Sequence, residues 1–564
     1  MINTQEKSYN KIYFLALLLV GLILIIPLID VRFMPGHDSV FHILRIESVA
    51  ASLKEGIWPV RIYVNSIQYW GAPVGIFYPS LFIYIPALLK NAGVPIEICY
   101  NIYIAIIIYL GLLASWFGFS LLTKSKLVGF LSAILYISSG YYLLTAYIRH
   151  ALGELTALSF MPCAIACLIC LIRKTKVPVK IYIISIISVS AIIESHILSS
   201  IFLAVFSLVF MIIKIKKISF TVIKRIVFIS FITFILNASF LIPFLMYYTT
   251  IPLSTIHYIE DFPRSGLEVI TLLRFSVFWN FWLFVSSPFF LLKDYISATT
   301  NYKHKQFFYY FSCFVTGLLF LVVSSEPFPW NALSPLDNIF KYMQFSWRFL
   351  GFSTLFFCVC GGFGLYLMLK IHKTRFSKKL HKFAYVGISI LICITNMIAL
   401  QHFKPAPFDN IFNYATKKYY LEEVLPYFYS HPDFFDYLYK DTNSKILSKQ
   451  NNRYFTNAFI TNYQKRTTTI SFNYSAKDDT EIVLPLMNYP GYIATNQTGD
   501  TVKINENANH MMIILLPKGN GQINIHYKGL CAFKIADYLS LISLLLFLIC
   551  IIRIHKHNNW NKLF

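Results

Sequence analysis

Long apolar runs, separated by short polar segments, make up most of the chain. A run of about 20 apolar residues can cross a bilayer as a helix, and the sequence holds about twelve such runs. They cover residues 12–29, 97–122, 127–147, 154–172, 179–193, 196–213, 220–247, 270–292, 306–324, 347–369, 383–401 and 536–553. The segment 76–90 is apolar but short, and Pro79 and Pro86 interrupt it. The pattern predicts a mostly α-helical protein that crosses a membrane many times.

Basic residues in the short loops indicate an orientation, because Lys and Arg are enriched on the cytoplasmic side of membranes. If the N-terminus is cytoplasmic and 76–90 is an interfacial or re-entrant piece, the basic clusters all fall inside. These clusters are Lys124/Lys126, 173–180, 214–225, Lys303/Lys305, 370–382 and Arg553/Lys556. The loops 30–96, 147–154, 193–197, 248–268, 325–346 and 402–535 then lie outside. We expect a plasma (inner) membrane protein with both termini in the cytoplasm.

The segment 402–535 is the one sizeable polar stretch and predicts an extracytoplasmic α+β domain. Its first part, around 414–449, is rich in Tyr, Phe and Asp and is expected to be partly helical. Its second part, 465–530, alternates apolar and polar residues and predicts a small β-sandwich. The predicted strands are 467–473, 481–487, 501–504, 511–516 and 522–527. The chain thus divides into a membrane domain 1–401, this outer domain, and a last span with a cytoplasmic tail, 536–564.

Composition agrees with this class and excludes others. The chain is 57% hydrophobic and 13% charged, against roughly 25% charged in soluble domains. The net charge of +23 would suggest nucleic acid in a soluble protein, but here the basic residues follow the membrane topology. Neither a nucleotide-binding nor an HExxH motif occurs, so we expect no cofactor. We predict no metal site, although Asp38, Glu154 and Glu194 could converge on a cation.

The first outer loop carries the clearest candidate for chemistry. Residues 39–55 predict a helix with Ile43, Ile46 and Ala50 on one face and polar residues on another. A helix with one apolar stripe after a span is expected to lie flat at the bilayer surface. Asp38 then stands at the membrane boundary, just ahead of this helix. Two interpretations stay open for Asp38: a general base, or a helix N-cap.

The same loop resembles a known family. HDSVFHILRIESVAASLKEG, followed by WGAPVGIFYPSLFIYIPALL, is similar to bacterial YfhO-like and 6-pyruvoyl-tetrahydropterin synthase-related membrane proteins. MNYPGYIATNQTGDTVKI resembles the C-terminal domain of that family, with Tyr492 in place of a Trp. The resemblance implies a GT-C-type glycosyltransferase fold, which carries an acidic residue in the first extracytoplasmic loop. Asp38 matches that position, and the resemblance implies inversion at the anomeric carbon.

The loop 147–154 is the second candidate, because Arg149 departs from the positive-inside trend. A guanidinium there suits a phosphate, which it binds through two parallel hydrogen bonds. The alternative is an Arg149–Glu154 ion pair that closes the loop. The order of Arg149 and Glu154 resembles a second motif of the family, and His150 joins the predicted substrate-binding set.

Two further outer sites complete the prediction. Glu194 and His196 lie between two spans, where ionisable residues indicate a functional site. The alternative is a polar turn in water. Arg348, in QFSWRFL, resembles a family motif with Ser346 in place of Pro. It is expected to stabilise the leaving phosphate, or else to reach lipid headgroups.

Several neighbours of these residues are predicted to touch substrate. In the first outer loop they are His37, His42 and Arg45. Aromatic rings there are candidates for stacking on sugars, although aromatic residues more often form a membrane belt or core. The rings are Tyr69, Trp70 and Tyr78.

Two main functions fit these residues. The first is a membrane glycosyltransferase that moves a sugar from a polyprenyl-phosphate donor to a cell-envelope glycan or lipid acceptor on the outer face. The second is a transporter or flippase of lipid-linked glycans, which a broken apolar segment also fits. A weaker third is a non-enzymatic envelope assembly factor. Because the polar motifs gather at one face and not at mid-membrane, the sequence favours the transferase.

Overall fold

The structure is a computed structural model that describes most of the chain. The described residues are 2–29, 36–63, 70–253, 278–297, 301–330, 332, 345–371, 378–402, 437–443 and 453–556. Of the predicted helical stretch around 414–449, only 437–443 is among them. Tyr69, Gln344 and the first residues of the predicted span 270–292 also lie outside.

The described residues are mostly helical. The helices are α1 (Ile2–Leu24), α2 (Ser39–Lys54), α3 (Val74–Phe77), α4 (Tyr84–Asn91), α5 (Ile96–Thr123), α6 (Lys126–Ile137), α7 (Gly140–Tyr147), α8 (Leu152–Arg173), α9 (Val179–Ile193), α10 (Ile197–Ile213), α11 (Phe220–Leu236), α12 (Ala238–Thr250), α13 (Trp279–Ile296), α14 (Asn301–Val323), α15 (Leu350–Ile371), α16 (Lys378–His402) and α17 (Cys531–Lys556). Short 3₁₀ turns occur at Ile26–Leu28, Leu81–Ile83, Ile215–Lys217 and Ser346–Phe349.

Within the described ranges, 6 helices are long and apolar enough to cross a membrane, or up to 8 if each of two bent pairs is one span. The multi-pass class predicted from the sequence is confirmed, but the predicted count of about twelve spans is not. Helices α9 and α10 have 15 and 17 residues. At about 1.5 Å per residue they are shorter than the roughly 30 Å hydrocarbon core.

Two predicted spans are broken in the middle. The predicted span 220–247 bends by 84° between α11 and α12, and 127–147 bends by 46° between α6 and α7. At the first break, the Asn237 side chain donates to Ser190 Oγ at 2.9 Å. At the second, Ser139 Oγ accepts the Tyr142 N–H and so begins a new helix. Both breaks are therefore held by polar side chains inside otherwise apolar runs.

Helix α2 is enclosed by protein on more than one face. Its apolar residues Ile43, Ile46 and Ala50 are buried, as the sequence predicts. The polar residues on the other face are buried as well: His42, Arg45, Ser48 and Ser52. The prediction of a helix lying flat at a surface with one apolar stripe is therefore wrong, because its polar face packs against protein and not against water.

The segment 76–90 forms no helix long enough to span a membrane. It contains the end of α3, a 3₁₀ turn and α4. Helix α4 packs against α2, where Asn91 Nδ2 donates to the Ala50 carbonyl at 2.9 Å. Lys90 Nζ also pairs with Glu47 Oε1 at 2.6 Å. These contacts hold α4 against α2.

The outer domain contains two antiparallel sheets. Their strands are β1 (Phe459–Lys465), β2 (Thr469–Ala476), β3 (Thr480–Met487), β4 (Tyr492–Asn496), β5 (Thr501–Val502), β6 (Ile504–Glu506), β7 (Met511–Leu516) and β8 (Gly519–Tyr527). The orders are β1-β2-β8-β4-β5 and β3-β7-β6. Residues such as Ile470, Phe472, Ile482 and Ile514 form the core between them. The sequence analysis missed β1 and β4.

The outer domain is bonded to the membrane domain at several points. Thr467, between β1 and β2, donates through its N–H and hydroxyl to the Glu55 carboxylate at the end of α2. The Met487 N–H donates to the Trp70 carbonyl at 3.2 Å. The Tyr247 hydroxyl on α12 donates to the Pro490 carbonyl. These bonds place the β-sheets directly beside the first outer loop.

Candidate active site

Asp38 lies at the start of α2 and beside the loop that contains Arg149. Its backbone N–H donates to the Arg149 carbonyl at 2.9 Å, so the two outer loops are joined at this residue. The Asp38 side chain forms no capping hydrogen bond to α2. The N-cap interpretation therefore does not account for its carboxylate, which is half-buried and free for other contacts.

The close approach of these loops depends on Gly36. A Cβ built there would stand 2.1 Å from His150 Cδ2 and 2.5 Å from the Ile148 carbonyl oxygen. Buried His150 in turn has its Nδ1 3.1 Å from the Tyr100 hydroxyl. On the other side, His42 Nε2 accepts the Leu152 N–H at 3.2 Å. The absence of a side chain at Gly36 thus permits the close packing beside Asp38.

Glu154 joins two arginines from distant parts of the chain. Arg149 Nη2 donates to Glu154 Oε2 at 2.9 Å. The same oxygen lies 4.0 Å from Arg348 Nε, while Oε1 accepts from the Tyr141 hydroxyl. Glu154 itself is buried, with 4% of its surface exposed. The predicted Arg149–Glu154 ion pair is present, and Arg348 joins it.

Both arginines keep unused hydrogen-bond donors. Arg149 Nη1 and Arg348 Nε and Nη1 are buried and have no hydrogen-bond partner in the described part of the chain. The Arg149 guanidinium stacks over Trp347, 4.2 Å from the ring centroid. Because buried polar groups in native proteins are nearly always paired, such donors mark a place for an anionic ligand.

The charges of Arg149, Arg348 and Glu154 act on Asp38, whose backbone N–H bonds the Arg149 carbonyl. Asp38, Arg149, Glu154 and Arg348 make up the candidate cluster. Burial raises the pKa of the Asp38 carboxyl above its ordinary value. The charges of Arg149 and Arg348 oppose that rise. A carboxylate with a raised pKa is a better proton acceptor at neutral pH.

The histidines around the cluster are held neutral. Burial lowers the pKa of His37 to about 4, and that of His150 to about 4. Burial and the Arg348 charge lower the pKa of His196 to about 3. His42 has a pKa well below its ordinary value for the same reason, with Arg45 adding to the effect. At neutral pH the fixed charges of the cluster therefore come from its carboxylates and guanidinium groups.

Arg45 and Tyr78 form the wall next to the histidines. The Arg45 guanidinium lies 4.1 Å from the Tyr78 ring centroid, and its Nη2 donates to the Pro79 carbonyl at 2.5 Å. The Tyr78 ring centroid is 6.0 Å from that of His196. His196 also begins α10, where its Nδ1 accepts the Ser199 N–H. Arg45 thus places a guanidinium beside the histidines, with its Nη1 3.2 Å from His42 Nδ1.

Two predicted substrate residues lie elsewhere. Trp70 is fully buried, and its carbonyl accepts the Met487 N–H. A role for its ring in substrate binding stays a prediction. Glu194 ends α9 and exerts its charge on Tyr84. Burial raises the pKa of Glu194 to about 8.

Sequence reasoning did not identify Tyr141 or Trp347 as site residues. Tyr141 bonds Glu154, and Trp347 stacks on Arg149 and lies 6.4 Å from the Tyr141 ring. Tyr141 sits in an apolar helix where no pattern separates it from core tyrosines. Trp347 stands next to Arg348, and that adjacency was the available signal.

The described residues contain no group of three or more His, Cys, Asp or Glu side chains that could hold a metal ion. Glu154 pairs with Arg149 and lies 4.0 Å from Arg348. The side chains gathered here include a carboxylate that could accept a proton, Asp38, and guanidinium groups that suit an anion.

Comparisons with known proteins were made for the whole chain. No family model matches the sequence, and no curated protein matches it. Among solved structures, the chain is similar to the crystal structure of ArnT from Cupriavidus metallidurans bound to undecaprenyl phosphate. That similarity has a TM-score of 0.31 and 12% sequence identity, and covers 63% of this chain and 77% of the ArnT chain.

Proposed function

We propose that this protein is a membrane glycosyltransferase of the GT-C type. It transfers a sugar from a polyprenyl-phosphate donor to a cell-envelope glycan or lipid acceptor on the outer face of the membrane. Asp38 is the general base, and Arg149 and Arg348 bind the donor phosphate. The support comes from the contacts of this chain's own side chains and from the resemblance of its first outer loop.

One observation carries the proposal. The half-buried carboxylate of Asp38 is within reach of the charges of two arginines, and its backbone N–H bonds the carbonyl of one of them, Arg149. Arg149 Nη1 and Arg348 Nε and Nη1 are buried and have no hydrogen-bond partner among the described residues. A transferase that uses a sugar phosphate needs a base for the acceptor hydroxyl and cations for the departing phosphate. These two requirements meet in this one cluster.

The proposed reaction transfers one proton and replaces one C–O bond at the anomeric carbon with another. The acceptor hydroxyl gives its proton to the Asp38 carboxylate as its oxygen bonds to the anomeric carbon of the donor sugar. The bond between that carbon and the phosphate oxygen breaks, and polyprenyl phosphate leaves with the electron pair. Arg149 and Arg348 bind the charge that grows on the phosphate, which stabilises the transition state more than the bound donor. Inversion at the anomeric carbon follows from the resemblance.

Glu154 fits this role as a positioning residue. It holds Arg149 at 2.9 Å and faces Arg348 at 4.0 Å. Without a carboxylate between them, the two guanidinium groups would repel each other. With it, both are oriented before substrate arrives, and preorganised charge of this kind costs no rearrangement during the reaction.

The test is the substitution Asp38→Asn, which keeps the shape of the side chain and removes the base. Envelope glycans are analysed by mass spectrometry in cells that carry the wild type or the variant. We expect product to fall about 10²- to 10⁴-fold, the usual contribution of a general base. Binding of a polyprenyl-phosphate hexose to the purified variant is expected to persist. Asp441→Asn, on the exposed surface, is the matched control.

A lipid flippase is the second candidate, because the 84° bend between α11 and α12 gives the broken helix that transporters use. The same variant separates the two functions. A flippase keeps its activity in a lipid-flipping assay with Asp38→Asn, since that function needs no base. Unchanged envelope product together with unchanged flipping would overturn the transferase proposal.

A further inference from the structure

A polar groove lies on the outer face of the five-stranded sheet, away from the cluster around Asp38. Its volume is about 360 Å³. The lining side chains come from β1, β2, β8 and the turn after β1: Gln464, Arg466, Thr469, Ser471, Asn524 and His526. The backbone of Ile470 and Ile525 forms part of its wall.

The strand register explains why these side chains share one face. Ile470 pairs with Ile525, and both side chains are buried in the core. Successive residues of a strand point to opposite faces, so the neighbours of these isoleucines point outward. Ser471 pairs with Asn524, and Thr469 pairs with His526. Gln464 on β1 continues the first of these rows, since it pairs with Ser471.

The groove side chains have unused hydrogen-bonding capacity. Thr469, Ser471, Asn524 and His526 are half-buried, whereas Gln464 and Arg466 are exposed at the rim. In the part of the chain that the structure describes, none of the six side chains forms a hydrogen bond with another protein group. Hydroxyl, amide and imidazole groups can each donate and accept. Partly enclosed donors and acceptors in rows are suited to a ligand with many hydroxyl groups.

We propose that this groove binds a glycan chain. A protein partner fits it less well, because interface cores are enriched in aromatic residues and methionine, and none of these lines the groove. A cationic ligand is disfavoured, since the lining contains no carboxylate and has Arg466 at one end. The positive charge of Arg466 at that end favours a glycan that carries an acidic substituent there.

Helix α2 connects the groove to the proposed reaction site. Thr467, between Arg466 and Thr469, is bonded to Glu55 at the C-terminal end of α2. Asp38 precedes the other end of α2, and the 16 residues of this helix span about 24 Å at 1.5 Å each. Identifying a bound glycan as the acceptor rests on the proposed function, whereas glycan binding itself does not.

The experiment uses the full chain in lipid nanodiscs on an array of linear neutral and uronic-acid-containing oligosaccharides. The double variant Ser471→Ala with Asn524→Ala removes two groove side chains. Thr480→Ala with Asn505→Ala, on the three-stranded sheet, is the matched control. We expect the wild type and the control to bind one glycan class equally. The groove variant is expected to bind it about tenfold more weakly, because two hydrogen bonds are lost.

The outcomes separate this inference from the transferase proposal. Binding of no oligosaccharide above background overturns the inference, and so does equal binding by the groove variant and the wild type. Unchanged thermal stability of the groove variant shows that weaker binding is not a folding defect. If glycan binds through the groove but Asp38→Asn leaves envelope product unchanged, the transferase proposal fails and the glycan site stands.

Discussion

Asp38 and Glu194 are both outer-loop carboxyl groups whose pKa is raised by burial. They differ in what surrounds them. Asp38 faces Arg149 and Arg348, whereas burial alone accounts for the pKa of about 8 at Glu194. Of these two carboxyl groups, Asp38 is therefore the one that experiences the charges of the proposed phosphate-binding arginines.

This difference predicts the pH dependence of transfer. Asp38 must be ionised to act as a base, so activity should fall as pH drops through its pKa. Because that pKa is raised, the fall should begin at higher pH than for an ordinary aspartate near 3.9. Initial rates measured between about pH 4 and 9 test this expectation. Glu194→Gln should leave the acid limb in place, and an acid limb that disappears in this variant would assign the titration to Glu194.

The buried carboxylate of Glu154 is expected to matter for stability as well as for function. Removing one partner of a buried ion pair leaves an uncompensated charge and typically costs about 3–5 kcal/mol. We expect Glu154→Gln to lower the free energy of unfolding by about that amount, measured by denaturant titration of the purified protein. Glu97→Gln is the control, since Glu97 also sits in the first turn of a helix and forms no ion pair within the described part of the chain. An equal loss of unfolding free energy in both variants would contradict the stabilising role assigned to the Arg149–Glu154 ion pair.

At the residue scale, the sequence indicated which residues are candidates for the site better than it indicated which side chains contact one another. Placing Asp38, Arg149 and Arg348 on one side of the membrane came from charge counting, and the structure brings their charges together. The partners of Glu154 were only half foreseen. Arg149 precedes it by five positions in the chain, but Tyr141 and Arg348 meet it through packing between separate elements. Single-sequence patterns hold no information on such packing.

Among the helices, α8 begins against the wall of the site. A Cβ added at Gly153 would lie 2.3 Å from the Tyr78 hydroxyl and 2.5 Å from the Ser195 carbonyl oxygen. The carbonyl belongs to the backbone and cannot swing aside as a side chain could. Glycine at this position therefore sets the distance between α8 and the loop before α10, and with it the width of the site.

Gly153→Ala is expected to widen this contact and displace Tyr78. Overpacking of this kind costs about 1–3 kcal/mol, which a helical protein of this size can tolerate. Transfer should fall at least about tenfold, since a 1 Å misplacement can cost far more. Gly387→Ala is the control, because a Cβ there meets nothing within 4 Å. Full activity of purified Gly153→Ala enzyme would contradict the predicted crowding.

The pattern of apolar residues did not predict where several helices and strands begin and end. The apolar pattern runs through Asn237 and through Ser138–Ser139, so the sequence predicted single spans where the structure has bent pairs. Helix α2 was read as a surface helix because a polar face looks the same whether it meets water or a polar protein interior. Strand β4 was missed because it is only five residues long and follows Pro490 and Gly491.

At the scale of the whole molecule, the outer domain rests on the same loop that carries Asp38. Glu55 and Trp70 of that loop both bond the β-domain. The Tyr489 hydroxyl donates to the Tyr437 carbonyl, and the Tyr437 ring lies 6.2 Å from that of Phe41 on α2. Any acceptor bound to the outer domain is therefore held in fixed relation to α2.

The orientation of the whole protein can be tested with its own cysteines. Cys531 and Cys550 are exposed at opposite ends of α17, and the other eight cysteines are buried. Nineteen residues of helix separate them by about 28 Å, close to the thickness of the hydrocarbon core. If the β-domain is extracytoplasmic, an impermeant maleimide should label Cys531 in spheroplasts, and Cys531→Ser should abolish that labelling while Cys550→Ser should not. The reverse pattern would place Asp38 and the β-domain in the cytoplasm and would end the outer-face mechanism.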